Sequence, residues 1–268
     1  MTSREPLTAT AAVDPERLMY ETTYRVRFDE AGPDGGLRTS GFMRYAQDLA
    51  WQHSAALGFG REWYAERGLT WLVRAAELEI LADVPMGESV TARTAVVGMR
   101  RVFARRRGEF RRADGSPAGW VHTDWVLIDG RGALVRIPPI FGEMFGGTDS
   151  TGLVGRLPLA PTPTNASRRA FRVRPHELDP MDHANNAVYL VWLEESLLDA
   201  GADAGIAAIR SVPRRYRMEF AMAVEAGAAI EGVAWRADDG WSYRLTSSDG
   251  ATDLFRGRLE PGAPKEGE

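Results

Sequence analysis

"FRVRPHELDPMDHANNAVYLVWLEE", residues 171–195, repeats in outline an earlier stretch, "YRVRFDEAGPDGGLRTSGFMRYAQD", residues 24–48. The offset is 171 − 24 = 147, and it runs without a gap. Arg25, Val26, Arg27, Glu30 and Pro33 meet Arg172, Val173, Arg174, Glu177 and Pro180, five identities in ten positions. Phe42 meets Tyr189, Tyr45 meets Trp192, and Gln47-Asp48 meets Glu194-Glu195. Each copy has the same order: alternating strand, turn-rich loop, helix. In the first copy Tyr24, Val26 and Phe28 share one face and Arg25, Arg27 and Asp29 the other, the alternation of a half-buried strand. The helix "TSGFMRYAQDLAWQHSAALG" (39–58) carries Phe42, Tyr45, Ala46, Leu49, His53 and Leu57 along one stripe, with Thr39 or Ser40 as cap and Gly58 as stop. The chain reads as two copies of one module.

The segments beyond each helix extend the match. "GREWYAERG" (60–68) suits a short second helix, then strand-like runs fall at 69–82, 88–99, 101–113 and 118–129, broken by "DVPMGE", "ADGSP" and "DGRG". "PPIFGEMFGGTDSTGLVGRLPLAPTPTNAS" (138–167), rich in Gly, Pro, Ser and Thr, reads as a linker. The second copy then offers strand "AFRVRP", a polar loop, a helix at 186–200, and strands near 213–222, 227–237, 240–248 and 252–260. The division is an arm at 1–19, a first module at 20–137, the linker at 138–167 and a second module at 168–262. The fold class is α+β, each module a long helix wrapped by an antiparallel sheet.

Composition narrows the function. At 268 residues and 44% hydrophobic content the chain can build a sizeable core. A net charge of −4 points to neither nucleic acid nor an anionic membrane. With no cysteine there is no disulfide, no thiolate metal site and no thiol nucleophile. The first twenty residues have no sustained apolar core, and no apolar run approaches the roughly 20 residues a bilayer requires. The expectation is a soluble, cytoplasmic protein with no metal and no cofactor, since no metal spacing, phosphate loop or dinucleotide fingerprint is visible. The basic residues are almost all arginine, Lys265 being the exception.

The two copies differ where chemistry is densest. Asp179, His183, Asn185 and Asn186 stand immediately before the second helix, and their partners at offset 147 are Gly32, Gly36, Arg38 and Thr39. A loop kept only for its shape could have kept similar residues at these matched positions in both copies, and the first has glycines where Asp179 and His183 stand. A carboxylate can attack a carbonyl or serve as base for water. An imidazole four residues on can orient it, and the free N–H groups of a helix start can hold a developing oxyanion. Asn185 and Asn186 also suit simple capping.

At this point the chain resembles the acyl-acyl-carrier-protein thioesterases of plants and bacteria, a tandem (double) hotdog family, over residues from about 20 to 260. In the first half the resemblance rests on residues 24–58 and on "LTWLVRAAELEI" (69–80). In the second it rests on "LDPMDHANNAVYLVWLEES" (178–196), similar to the family's Asp-x-Asn-x-His-x-Asn-Asn stretch and its helix tyrosine, and on "YRMEF" (216–220). The resemblance implies that Asp179, His183 and Glu219 are catalytic. It further implies a fatty acyl thioester substrate on acyl carrier protein or coenzyme A, and a role in fatty acid metabolism. Two positions depart from the pattern: Met181 replaces an asparagine, and Phe220 a cysteine of plant members. Met181 has no side-chain donor, so a backbone group, water or Asn185 has to cover that role. The two modules are expected to share one continuous sheet with the linker crossing outside, in a pseudo-dimeric monomer or a homodimer.

Other polar residues have plainer readings. Glu194 and Glu195, two turns into the helix, suit a solvated or pocket-edge face; His53 and His122 suit packing, and His176 a strand end. Trp71, Trp120 and Trp125 read as core. "MRRVFARRRGEFRR" (99–112) reads as a solvated strand face or as a dock for an acidic carrier or a phosphopantetheine phosphate. A hotdog hydratase would need a Gly-x-Pro-x-x-Pro-Gly stretch after its histidine, which "HANNAVYL" lacks. A non-catalytic acyl-thioester sensor would be paired with a DNA-binding segment, and none is evident.

Overall fold

The computed structural model describes residues 18–145, 156–238 and 240–262. The first module runs β1 (Met19–Arg25), α1 (Thr39–Ala56), α2 (Arg61–Glu66), β2 (Leu69–Ile80), β3 (Ser89–Arg100), β4 (Phe103–Arg111) and β5 (Pro117–Asp129). After α3 (Pro139–Phe145) the second runs β6 (Ser167–Arg172), α4 (Asn186–Ala200), α5 (Ala202–Arg210), β7 (Arg214–Phe220), β8 (Ala229–Ala237), β9 (Gly240–Ser247) and β10 (Asp253–Pro261). All ten strands form one antiparallel sheet in the order β1-β3-β4-β5-β2-β7-β10-β9-β8-β6. Read from either edge inward, each half has the same order, and β2 and β7 close the seam with Ala75 to Ile80 against Glu219 to Arg214. The expected continuous sheet is borne out.

Alternation along the strands gives the sheet two unlike faces. One row crosses both modules as Val121, Leu78, Tyr216, Leu259 and Trp241, all buried in one core with the apolar faces of α1 and α4. The stripe expected on α1 is buried at every position, from Phe42 to Leu57. α4 settles close to β10 because position 257 is glycine: a Cβ there would stand 2.4 Å from Leu193 Cδ1. The adjacent row, Glu109, Trp120, Glu79, Arg215 and Glu260, looks outward. That face is a lattice of ion pairs: Arg105–Asp124 at 2.7 Å, Arg107–Glu109 at 2.9 Å, Arg215–Glu79 at 3.2 Å.

The lattice revises two expectations. The arginine run, expected as a solvated strand face or a carrier dock, is a strand whose outward arginines are ion-paired: Arg105, Arg107 and Arg112 are committed to Asp124, Glu109 and Glu88. Arg106 alternates inward and meets His53 Nδ1 at 2.7 Å; burial lowers its guanidinium to about 10. Trp120 is not in the core. It lies on the outer face between Arg107 and Arg215, whose guanidinium carbons stand 6.0 and 5.8 Å from its ring centre.

Other differences have local causes. β1 begins and ends earlier than the alternation suggested, and Phe28 is 85% exposed. The chain leaves the sheet into a 3-10 turn because Glu30 Oε2 accepts from the Arg27 N–H and the Tyr45 hydroxyl. Within the expected linker, α3 forms because Phe141, Met144 and Phe145 recur at helical spacing and are buried beside Leu57 and Phe59. α5 is an element beyond those the sequence pattern predicts. Residues 1–17 of the arm and 146–155 of the linker lie outside the described residues. Among those described, no helix is long and apolar enough to cross a membrane.

His122, on the outer face, is depressed to about 4, first by burial and then by Arg107 and Arg105. Its folded value lies below the unfolded one, so native stability is lost as pH falls from about 6.5 towards 4, where only the unfolded chain takes the proton. Of the described histidines, His122 is expected to titrate near pH 4 by NMR; a midpoint above 6 contradicts the packing described.

Candidate active site

The loop before α4 is built from its own backbone. The Asp179 N–H donates to His183 O at 2.8 Å, and the Asp182 N–H to Asp179 O at 3.0 Å, with Asp182 in the left-handed region at φ 63°. The first copy closes the same turn, Gly32 N–H to Gly36 O and Gly35 N–H to Gly32 O, with Gly35 at φ 78°. Both turns are pinned alike, Leu37 N–H to Val84 O and Ala184 N–H to Val224 O. The frame is common property; its side chains are not.

In the second copy that frame brings Asp179 and His183 together on one half-buried turn. Asp179 Oδ1 accepts from the Met181 N–H at 2.8 Å and the His183 N–H at 3.5 Å, which leaves Oδ2 outside the turn's own bonds. The Met181 side chain is 47% exposed, so its backbone supplies a donor to the carboxylate that its side chain lacks. Asn185 caps α4, its Oδ1 accepting from the Ala187 N–H at 2.9 Å. Val188 N–H is held by Asn185 O, and Asn186, at the first position of the helix, has no intrahelical acceptor for its own N–H. Tyr189, packed against Phe220 and Phe255, has its phenol pushed up first by burial, with the Asp179 charge adding to the shift. Sequence reasoning gave Tyr189 no role here beyond the resemblance.

Glu219 is not brought to this turn. Tyr216, Met218 and Phe220 face α4, so Glu219 points to the other side of the sheet. There Oε2 accepts from the linker's Leu157 N–H at 2.8 Å, and Arg74 and Arg256 stand at 3.5 and 3.6 Å. The seam offset is 224 − 84 = 140, which matches Glu219 with Glu79, also buried and also paired with an arginine. A carboxylate present in both copies on the outer face is part of the lattice.

The other end of the seam is furnished differently. Glu194 is not solvated. Its Oε1 accepts from the Tyr216 hydroxyl at 2.7 Å, and Thr39, first residue of α1, bonds to it as well. Burial pushes its carboxyl up, against the pull of Tyr216, Thr39 and Arg214. Tyr216 is wholly buried. At offset 140 its counterpart is Ala76, so the end of α1 is filled by a phenol where the end of α4 has a methyl group.

Residues 17–140 match the acyl-ACP thioesterase N-terminal domain and residues 161–251 the acyl-ACP thioesterase C-terminal domain. The chain belongs to the acyl-ACP thioesterase family. It is a thioester hydrolase, acting on acyl thioesters. Its fold is similar to that of a putative oleoyl thioesterase from Lactobacillus plantarum (20% identity, TM-score 0.74, covering 92% of this chain and 97% of that one). It is equally similar to an acyl-ACP thioesterase from Bacteroides thetaiotaomicron (14%, 0.75, 92% and 99%) and to the 12:0-ACP thioesterase from Umbellularia californica (19%, 0.75, 91% and 96%). No curated protein matches it by sequence. The double hotdog expected from the repeat is the fold observed.

If the methyl group of Ala76 is what keeps the α4 end of this thioesterase open, Ala76→Tyr copies the closed end onto it. Overpacking of this kind costs about 1–3 kcal/mol. Thioester turnover is therefore expected to be lost while a cooperative thermal transition survives at lower temperature. Full activity in the folded variant contradicts the reading.

Proposed function

We propose that this chain releases fatty acids from acyl carrier protein, with Asp179 as general base and His183 as its partner at a single site before α4. The observation that carries the proposal is the asymmetry: one turn geometry in both copies, but a carboxylate paired with an imidazole, Asp179 with His183, in the second alone; the first turn's Asp34 accepts from the Gly36 N–H, and glycines stand at the two matching positions. Asp179 is held by backbone N–H groups through Oδ1, so Oδ2 is the oxygen to receive a proton from water. The water oxygen attacks the thioester carbonyl carbon. The Asn186 N–H and the positive end of α4 meet the oxyanion. The C–S bond then breaks, and the proton held on Asp179 passes to the departing sulfur, with His183 beside it as relay. The products are a carboxylic acid and the carrier thiol. Asn185 sets the helix end that binds the carbonyl. Glu219 serves from the outer face, tying β7, β10 and the linker together.

Removing the base should cost about 10²–10⁴-fold in kcat, with KM changed far less. Asp179→Asn and His183→Ala are both expected to do so, and the double variant to be much less than multiplicative if they serve one step. Met181→Asn is expected to leave the rate within a few-fold, since the backbone already bonds Asp179. Near-normal kcat in folded Asp179→Asn sinks the proposal. Free thiol measured over matched acyl-carrier-protein and acyl-CoA panels tests the carrier: kcat/KM is expected to favour the carrier protein, and the opposite preference assigns coenzyme A.

A further inference from the structure

The pseudo-two-fold through the β2–β7 seam sets the start of each long helix against the middle of the other. On the α1 side Glu194 makes the contact. It stands eight residues beyond Asn186, the first residue of α4, and bonds Thr39, the first residue of α1, and Tyr216. The counterpart of Glu194 at offset 147 is Gln47, eight residues beyond Thr39, and by the pseudo-two-fold its place is at the α4 start, as that of Glu194 is at the α1 start.

Gln47 does not repeat the bonding of its counterpart. Its Oε1 is enclosed and has no hydrogen-bond donor. The phenol that serves Glu194 is replaced here by the methyl group of Ala76, which donates nothing. Buried amide oxygens are almost always satisfied, and leaving one bare is costly. The cost makes sense where a ligand supplies the donor. The chemistry at this end of α4 calls for one small donor, a water aligned on the thioester carbonyl.

We propose that Gln47 is the first module's contribution to the active site: its amide oxygen accepts a hydrogen bond from the attacking water, whose other proton goes to Asp179. The site is thus completed across the seam, and neither module holds it alone. This rests on the assignment of Asp179 as the base. The ionisable groups at the start of α4 are Asp179, His183 and Tyr189 from the second module's loop and helix, and Glu225, whose backbone pairs with that of His183. Arg74 on β2 is committed to Phe220 O, Ala221 O and Glu219, and Asp48 on α1 to Tyr24 and Gln52.

Wild type, Gln47→Leu, Gln47→Met, Gln47→Glu and Asp179→Asn are compared by thiol release from an acyl-carrier-protein thioester and by thermal melting. Misplacing the water should cost about 10²-fold. Gln47→Leu and Gln47→Met are expected to lose that in kcat with KM nearly unchanged. Gln47→Glu keeps the acceptor but adds a carboxylate beside Asp179. It is expected to regain rate at high pH and to move the acid limb of kcat upward, because a like charge raises the base. A residue packed away from Asp179 would not move that limb, and one that only packed beside it would not cost kcat in the isosteric Gln47→Met. Wild-type kcat in a folded Gln47→Leu or Gln47→Met, or an unmoved acid limb in Gln47→Glu, overturns the proposal. If Asp179→Asn is itself fully active, the base assignment falls, and this inference with it.

Discussion

The antiparallel pairing of β2 with β7 is the constraint on which the molecule turns. Six residue pairs, Ala75–Glu219 to Ile80–Arg214, join two modules into one sheet. Because the pairing is antiparallel, each module's helix start is delivered to the other module's sheet and helix. That produces two candidate sites per chain, one at each end of the seam. The distinctive features of this protein arise from how unequally the two ends are furnished.

At the α1 end a buried carboxylate, a phenol and a threonine hydroxyl satisfy one another. Such a network rigidifies, since an unpaired member in a low-dielectric interior is expensive. At the α4 end the large phenol is gone, an amide oxygen is bare, and the turn carries Asp179 and His183. The two ends share a backbone frame, so the difference lies in side chains alone. On the opposite face of the sheet both copies invest in the same device, a buried glutamate held by arginines, Glu79 with Arg215 and Glu219 with Arg74 and Arg256. That common lattice stiffens the seam and leaves the helix-facing side free to diverge.

The repeat from Tyr24 to Asp48 and from Phe171 to Glu195 was legible because it is gapless and carries both periods, two for the strand and 3.6 for the helix. The stacking of Tyr24 on Tyr45 and the tilted contact of Phe171 with Trp192, centroids 4.3 and 6.1 Å apart, are that register made physical. Beyond the helices the offset falls from 147 to 140, since the second module reaches its central strand seven residues sooner. Without that shift Tyr216 cannot be matched to Ala76, nor Glu219 to Glu79. For the same reason the closed end of the seam was invisible, and Glu194 read as part of a solvated or pocket-edge face. The arginine run misled because strand alternation divides it: Arg105 and Arg107 enter the outer lattice while Arg106 turns inward. Phe28 misled because a glutamate two residues on, and not the alternation, decides where the strand ends.

One substrate site per chain, at the start of α4, is the proposal that this unequal furnishing supports. Isothermal titration with a thioether analogue of the acyl-carrier-protein substrate, which lacks the cleavable carbonyl–sulfur bond, counts sites directly. The account predicts one analogue per chain, with NMR amide shifts at Asn185, Asn186 and Ala187. Two analogues per chain, or shifts at Arg38, Thr39 and Ser40 instead, would contradict it.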